Sequence, residues 1–198
     1  MTYFLGLTGG IATGKTTADA FFEKKNIPII DADRVAHDLM QKNGASYTAI
    51  VDHFGASILN DEKEIDRKKL GKIVFGAPAK LNELNQITHP LIRKAIVLQM
   101  QNYQKKDTPL AILDVPLLFE THYDQLCDSV LVISADLSHQ LARLQERNNL
   151  NKAQAMSRIN SQMKLQEKEK LADFVVDNNG SIADLEAKLS QILVRIGR

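Results

Sequence analysis

The segment Gly9-Gly10-Ile11-Ala12-Thr13-Gly14-Lys15-Thr16 carries the clearest chemistry in the chain. It fits the pattern G-x-x-x-x-G-K-[ST], in which glycines let backbone N–H groups turn inward around phosphate oxygens. The helix that follows adds the partial positive charge of its N-terminus. Lys15 would reach the β- and γ-phosphates of a nucleoside triphosphate, and the Thr16 hydroxyl would ligate Mg2+. The motif demands a buried strand before it and an amphipathic helix after it. Thr2–Leu7 reads as that strand, and Lys15–Lys25 as that helix, with Ala18, Phe21 and Phe22 at helical spacing.

Three carboxylates stand at the ends of apolar runs. Asp31 and Asp33 follow Ile27-Pro28-Ile29-Ile30 and open a helix expected over Ala32–Asn43. Ligands of open parallel sheets gather outside the carboxyl ends of strands, which puts both near the phosphate loop. Helix capping accounts for Asp31 alone. Asp33 is the candidate base for an attacking hydroxyl. Asp114 closes Leu110–Leu113 and is a candidate second Mg2+ element beside Thr16, with turn capping as its alternative role. A guanine-reading Asn-Lys-x-Asp is missing: Asn151-Lys152-Ala153-Gln154 lacks the carboxylate. The Asp-x-x-Gly matches at Asp52–Gly55 and Asp177–Gly180 do not close the third strand. A small phosphotransferase is the class that remains.

The elements that must position these residues alternate. Further strands are expected at Leu110–Leu113, Ser129–Ser134 and Phe174–Val176, and a last helix from Ser181, where Ser181-Ile182-Ala183-Asp184 resembles a capping box. Continuous apolar strands separated by helices imply a parallel sheet covered on both faces. Two largely helical stretches, Ser46–Lys106 and Asp136–Ala172, interrupt the rhythm. The chain has 198 residues, 25 Lys+Arg against 24 Asp+Glu, a net charge of +1 and a single cysteine, Cys127. That balance speaks against a strongly basic nucleic-acid binder. One cysteine excludes an internal disulfide framework and a multi-cysteine zinc site. With no signal-peptide pattern at Met1–Gly6 and no long apolar run, a cytoplasmic protein is expected.

The chain resembles the dephospho-coenzyme A kinase family along essentially its whole length. The resemblance rests on Leu7-Thr8-Gly9-Gly10-Ile11 through Thr16, on Asp31-Ala32-Asp33 with Ala36-His37, and on His89-Pro90-Leu91-Ile92. It continues through Val115-Pro116-Leu117-Leu118-Phe119-Glu120 and through Gln140–Leu144 with Arg147, Arg158, Ile159 and Gln162. Lys168, Ala172-Asp173 and Asp177-Asn178-Asn179-Gly180 complete it. Ala12-Thr13 departs from the Gly-Ser common in the family, which matters only if Ala12 needs a positive φ.

This resemblance implies an α/β, three-layer P-loop kinase fold with a five-stranded parallel sheet, a helical substrate lobe and a lid. A single domain over 1–198 is expected, with its core at 1–31, 108–135 and 173–198, its lobe at about 32–107 and its lid at about 136–172. The implied reaction moves the γ-phosphoryl of ATP, with Mg2+, to the ribose 3′-hydroxyl of dephospho-coenzyme A. Lys15, Asp33 and Arg143 would be catalytic. Gly10, Ile11, Ala12, Thr13, Gly14, Lys15, Thr16, Thr17, Arg143, Arg147 and Asn178 would hold ATP. Thr8, Asp33, His37, His89, Leu117, Leu118, Phe119 and Glu120 would meet the acceptor. His89 before Pro90 is also a candidate helix break. A monomer with no nucleic-acid or membrane partner is expected. A nucleoside or nucleotide kinase of the same fold and a non-catalytic nucleotide switch are the alternatives.

Overall fold

A computed structural model describes residues 1–197. It divides into two compact units, Met1–Ile30 with the chain from Tyr103 onward, and Asp31–Asn102.

The first unit is built on a five-stranded parallel sheet in the order β2-β3-β1-β4-β5. The strands are β1 (Tyr3–Gly9), β2 (Ile29–Asp31), β3 (Leu110–Asp114), β4 (Ser129–Ser134) and β5 (Phe174–Asp177). β1 is central, pairing in parallel with β3 from Tyr3↔Leu110 to Leu7↔Asp114 and with β4 from Leu5↔Ser129 to Gly9↔Ile133. β1 therefore extends past Leu7 and delivers the chain directly into the phosphate loop. Every residue of β3 is buried, as expected for a strand covered on both sides. On one face Leu5, Leu7, Leu131 and Ile133 pack with Ala18, Phe21 and Phe22 of α1 (Lys15–Lys24). Leu185, Leu189, Ile192 and Leu193 of the C-terminal helix (Ile182–Arg195) complete the cluster. Burying each such Leu or Phe contributes about 1.5–3 kcal/mol. The Ser181–Asp184 capping box starts that helix as the sequence suggests.

The second unit carries α2 (Ala32–Met40), α3 (Tyr47–Phe54), α4 (Arg67–Val74) and most of α5 (Pro78–Lys105). Its own core is Ile50, Ile58, Leu70 and Val74. α2 stops at Met40, short of the expected Asn43, which adopts a left-handed φ of 71°. α5 corrects another expectation. Pro90 lies inside it, and the helix runs on without a break at His89. An internal proline costs about 3 kcal/mol or more. Leu81, Leu84 and Ile87 pack against the second core before it, and Ile96 and Met100 are buried after it. Packing on both sides outweighs the local preference.

Three helices remain in the first unit: α6 (Leu137–Asn148), α7 (Lys152–Asn160) and α8 (Leu165–Leu171), which makes Ile182–Arg195 α9. Asn151 and Gln154, remnants of the guanine-like pattern, form the capping box that starts α7. Among the described residues no helix is long and apolar enough to cross a membrane.

Candidate active site

The phosphate loop turns between β1 and α1 on backbone geometry that few residues adopt. Gly14 has φ 100°, and a Cβ there would overlap the Asn178 carboxamide. It is the N-cap of α1, yet no side chain bonds the free N–H groups of that helix. α2, α4, α7 and α9 have side-chain caps, while α3, α6 and α8, like α1, have none. The N-terminus of α1 therefore keeps its amides and its positive field available to an anion. Ala12 has φ 61°, so the departure from glycine falls at a position that favours glycine. Left-handed backbone costs a non-glycine residue about 1–2 kcal/mol. Ala12→Gly is expected to raise stability by about 1 kcal/mol in a denaturant titration, through relief of that strain.

Thr13 anchors the loop. Its hydroxyl donates to the Gly10 carbonyl at 2.9 Å, and its own carbonyl accepts from Asn178 Nδ2 at 2.7 Å. Arg143 Nη1 reaches the same carbonyl at 3.4 Å, while Nη2 donates to the Asn178 carbonyl at 2.9 Å. Arg143 and Asn178 thus converge on the loop. Asn178 is buried and holds the loop backbone from inside the protein. Arg147, at the exposed end of α6, donates to Asn148.

Lys15 Nζ lies 2.6 Å from Asp114 Oδ2 and 3.7 Å from Asp19 Oδ2. Asp114 is buried at the end of β3, beside β1 in the sheet. The candidate metal ligands, Thr16 and Asp114, are hard oxygens, the kind Mg2+ takes when phosphates and water complete its shell. Among the described residues no group of three or more His, Cys, Asp or Glu side chains could hold a metal. The donor set fits an ion carried by a nucleotide.

The expected acceptor contacts fall in several environments. Thr8 is fully buried, and its hydroxyl donates to the Pro116 carbonyl at 3.0 Å. Leu118 and Phe119 are core residues, while Leu117 is 41% exposed. Glu120 Oε1 faces Lys168 and the Met163 N–H. In the second unit, Asp31 caps α2 by accepting from the Asp33 and Arg34 N–H groups at 2.8 and 3.0 Å. The exposed Asp33 side chain has no part in those two bonds. Asp31→Ala is expected to lower stability by about 1 kcal/mol through loss of the cap, read as a lower Tm. His89 is exposed on α5. His37 lines a cavity of about 270 Å³ with Met40, Gln41, Glu64, Ile65 and Arg67.

Gln162 and Lys168 carry the family resemblance with no site role read for them, and Arg67 is absent from the sequence reading altogether. Arg67 left one signal: it opens α4, where a cation opposes the helix dipole. Cys127 carries no chemistry here. Burial, with Asp124 and Asp128 nearby, pushes its thiol up to about 12.

A phosphate loop that opens an uncapped helix from the central strand of a parallel sheet marks the P-loop nucleotide-binding proteins as a class. Within that class the chain belongs to the dephospho-CoA kinase family, whose model matches residues 3–184. A Lactobacillus johnsonii dephospho-CoA kinase is 54% identical over 198 residues, covering 100% of both chains. The solved dephospho-CoA kinase from Campylobacter jejuni superposes with a TM-score of 0.76 at 34% identity, covering 99% of this chain and 98% of its own. A solved Thermus thermophilus protein gives a TM-score of 0.82 at 29% identity, covering 98% and 97%.

Proposed function

We propose that this protein transfers the γ-phosphoryl group of ATP to the ribose 3′-hydroxyl of dephospho-coenzyme A, giving coenzyme A and ADP. The observation that carries the reading is the family match across residues 3–184, which includes an intact phosphate loop opening an uncapped helix. In this reading the amides at the start of α1 and the Lys15 ammonium bind the triphosphate. Lys15 moves from Asp114 toward the phosphates as they arrive. Thr16 and Asp114 would hold Mg2+, whose chemistry there would be neutralisation of phosphate charge. Arg143 reaches across from α6 to the transferring group, with Arg147 behind it. Asp33 accepts the proton of the attacking hydroxyl, while His37, His89 and Leu117 meet the acceptor.

Phosphoryl transfer needs little covalent help, so positioning and charge neutralisation supply most of the rate. The guanidinium of Arg143 bridges the Thr13 and Asn178 carbonyls, so in this reading it leaves those bonds to reach the transferring group. The reading is completed by a monomer in the cytoplasm, a single kinase domain with its lobe at about 32–107 and its lid at about 136–172.

An acceptor panel tests the reading. ADP release should accelerate with dephospho-coenzyme A and stay near the basal rate with AMP, nucleosides and shikimate. Acceleration by a nucleoside or AMP alone would favour a nucleotide kinase. Nucleotide binding with no turnover on any acceptor would favour a switch.

A further inference from the structure

Lys168 of α8 is fully buried, which is rare for a lysine. Its Nζ lies 3.0 Å from Glu120 Oε1 and donates to the Pro116 carbonyl at 2.8 Å. The same Pro116 carbonyl accepts from the Thr8 hydroxyl at 3.0 Å, at the end of β1 that leads into the phosphate loop. Glu120 Oε1 also accepts from the Met163 N–H at 3.2 Å. The preceding residue, Gln162, accepts from the Ile11 N–H of the loop through Oε1 at 3.1 Å. These bonds close a ring: Thr8, Pro116, Lys168, Glu120, Met163, Gln162, Ile11. It begins on β1 just before the phosphate loop and ends on the loop at Ile11.

Stability alone does not account for such a pair. Lys168 is fully buried while Glu120 keeps 22% exposure, and an ion pair drawn this far from water is often matched by apolar residues of the same volume. A connected polar network instead fixes one geometry. Here it fixes the turn between α7 and α8 against Ile11, beside a cavity of about 440 Å³ walled by Gly10, Ile11, Gln140, Met156, Gln162 and Met163.

We propose that Gln162 and Lys168 are positioning residues for phosphoryl transfer. Gln162 holds the Ile11 amide and the α7–α8 turn in register, and Lys168 holds Gln162 through Glu120. The ring keeps that wall closed, so that the phosphoryl group passes to the acceptor and not to water. The inference rests on the kinase reading above.

The test compares Gln162→Met, Lys168→Met and the double variant with the wild type. The readouts are kcat, the ratio of ADP formed to acceptor phosphorylated, ADP affinity by calorimetry, and thermal melting. Gln162→Met is expected to lower kcat about tenfold, as a small misplacement at the reacting centre does. The ADP-to-product ratio should rise above one, with ADP affinity little changed. The double variant should be no worse than the poorer single variant, because residues in one network do not add. A merely structural ring would lower the melting temperature while kcat per folded molecule and the ratio stay at wild-type values. That result, or losses that multiply, would overturn the proposal. If Lys168→Met does not fold, kcat and the ratio for Gln162→Met decide alone. A wild type that phosphorylates no acceptor sinks the kinase reading instead. The ring is then judged by basal ATP hydrolysis, which Gln162→Met must change to sustain it.

Discussion

Asn in place of Asp33 is expected to cut kcat by about a hundred- to ten-thousandfold, the range that a positioned general base supplies. ATP affinity should stay near the wild-type value. The substitution keeps size and shape and removes only the ability to accept a proton. The sequence reading gives Asp31 to the helix cap and Asp33 to the base role, and the structure shows the cap. Asp31 is committed to the N-terminus of α2, where its Oδ1 accepts from two backbone N–H groups. The exposed Asp33 side chain is not the cap, so Asn there leaves α2 capped. Its share of dipole complementation in the first turn is worth about 0.3–1 kcal/mol, which an intact domain absorbs. Steady-state kinetics with acceptor and ATP varied separately checks the prediction. A fall in kcat and kcat/KM together identifies an interaction made in the transition state. Near-wild-type kcat would remove Asp33 as the base.

Lys15→Met should be nearly as severe for a different reason. The methionine keeps the stem of the side chain and removes its charge. The ammonium is 2.6 Å from Asp114 and 3.7 Å from Asp19, so the variant deletes the cation from a spot that already holds two carboxylates. An incoming triphosphate then meets negative charge with its principal side-chain counter-ion gone. Losing one preorganised donor to transition-state charge costs about a hundred- to thousandfold in kcat. ATP affinity should fall as well, because Lys15 serves the ground state too. Titration of a fluorescent nucleotide alongside turnover separates the two effects. Wild-type affinity with wild-type kcat would mean that Lys15 serves structure and not the nucleotide.

What could be read along the chain was mostly local. The strand, the loop and the helix around Gly9–Thr16 are neighbours in sequence, and residue type constrains each directly. The Ser181–Asp184 box was legible because its bonds span three residues. His89-Pro90 shows the opposite case, where distant packing of Leu84, Ile87, Ile96 and Met100 outweighed a local preference. Side-chain direction was also hidden. Thr8, Leu118 and Asn178 sit in segments that border the site, but their side chains point into the protein. The Lys168–Glu120 pair joins residues far apart in the chain, and neither spacing nor composition announces it. Ala12 lies between these cases. Its possible need for a positive φ was readable, and the structure supplied the angle.

The measurement that bears most directly on the central reading is the identity of the product. Dephospho-coenzyme A and ATP incubated with the wild-type protein should give one equivalent of ADP and one new phosphomonoester. Phosphorus–proton coupling in the NMR spectrum should place that ester on the ribose 3′-carbon. Inorganic phosphate as the sole partner of ADP, or a phosphate on any other oxygen, would contradict the assignment.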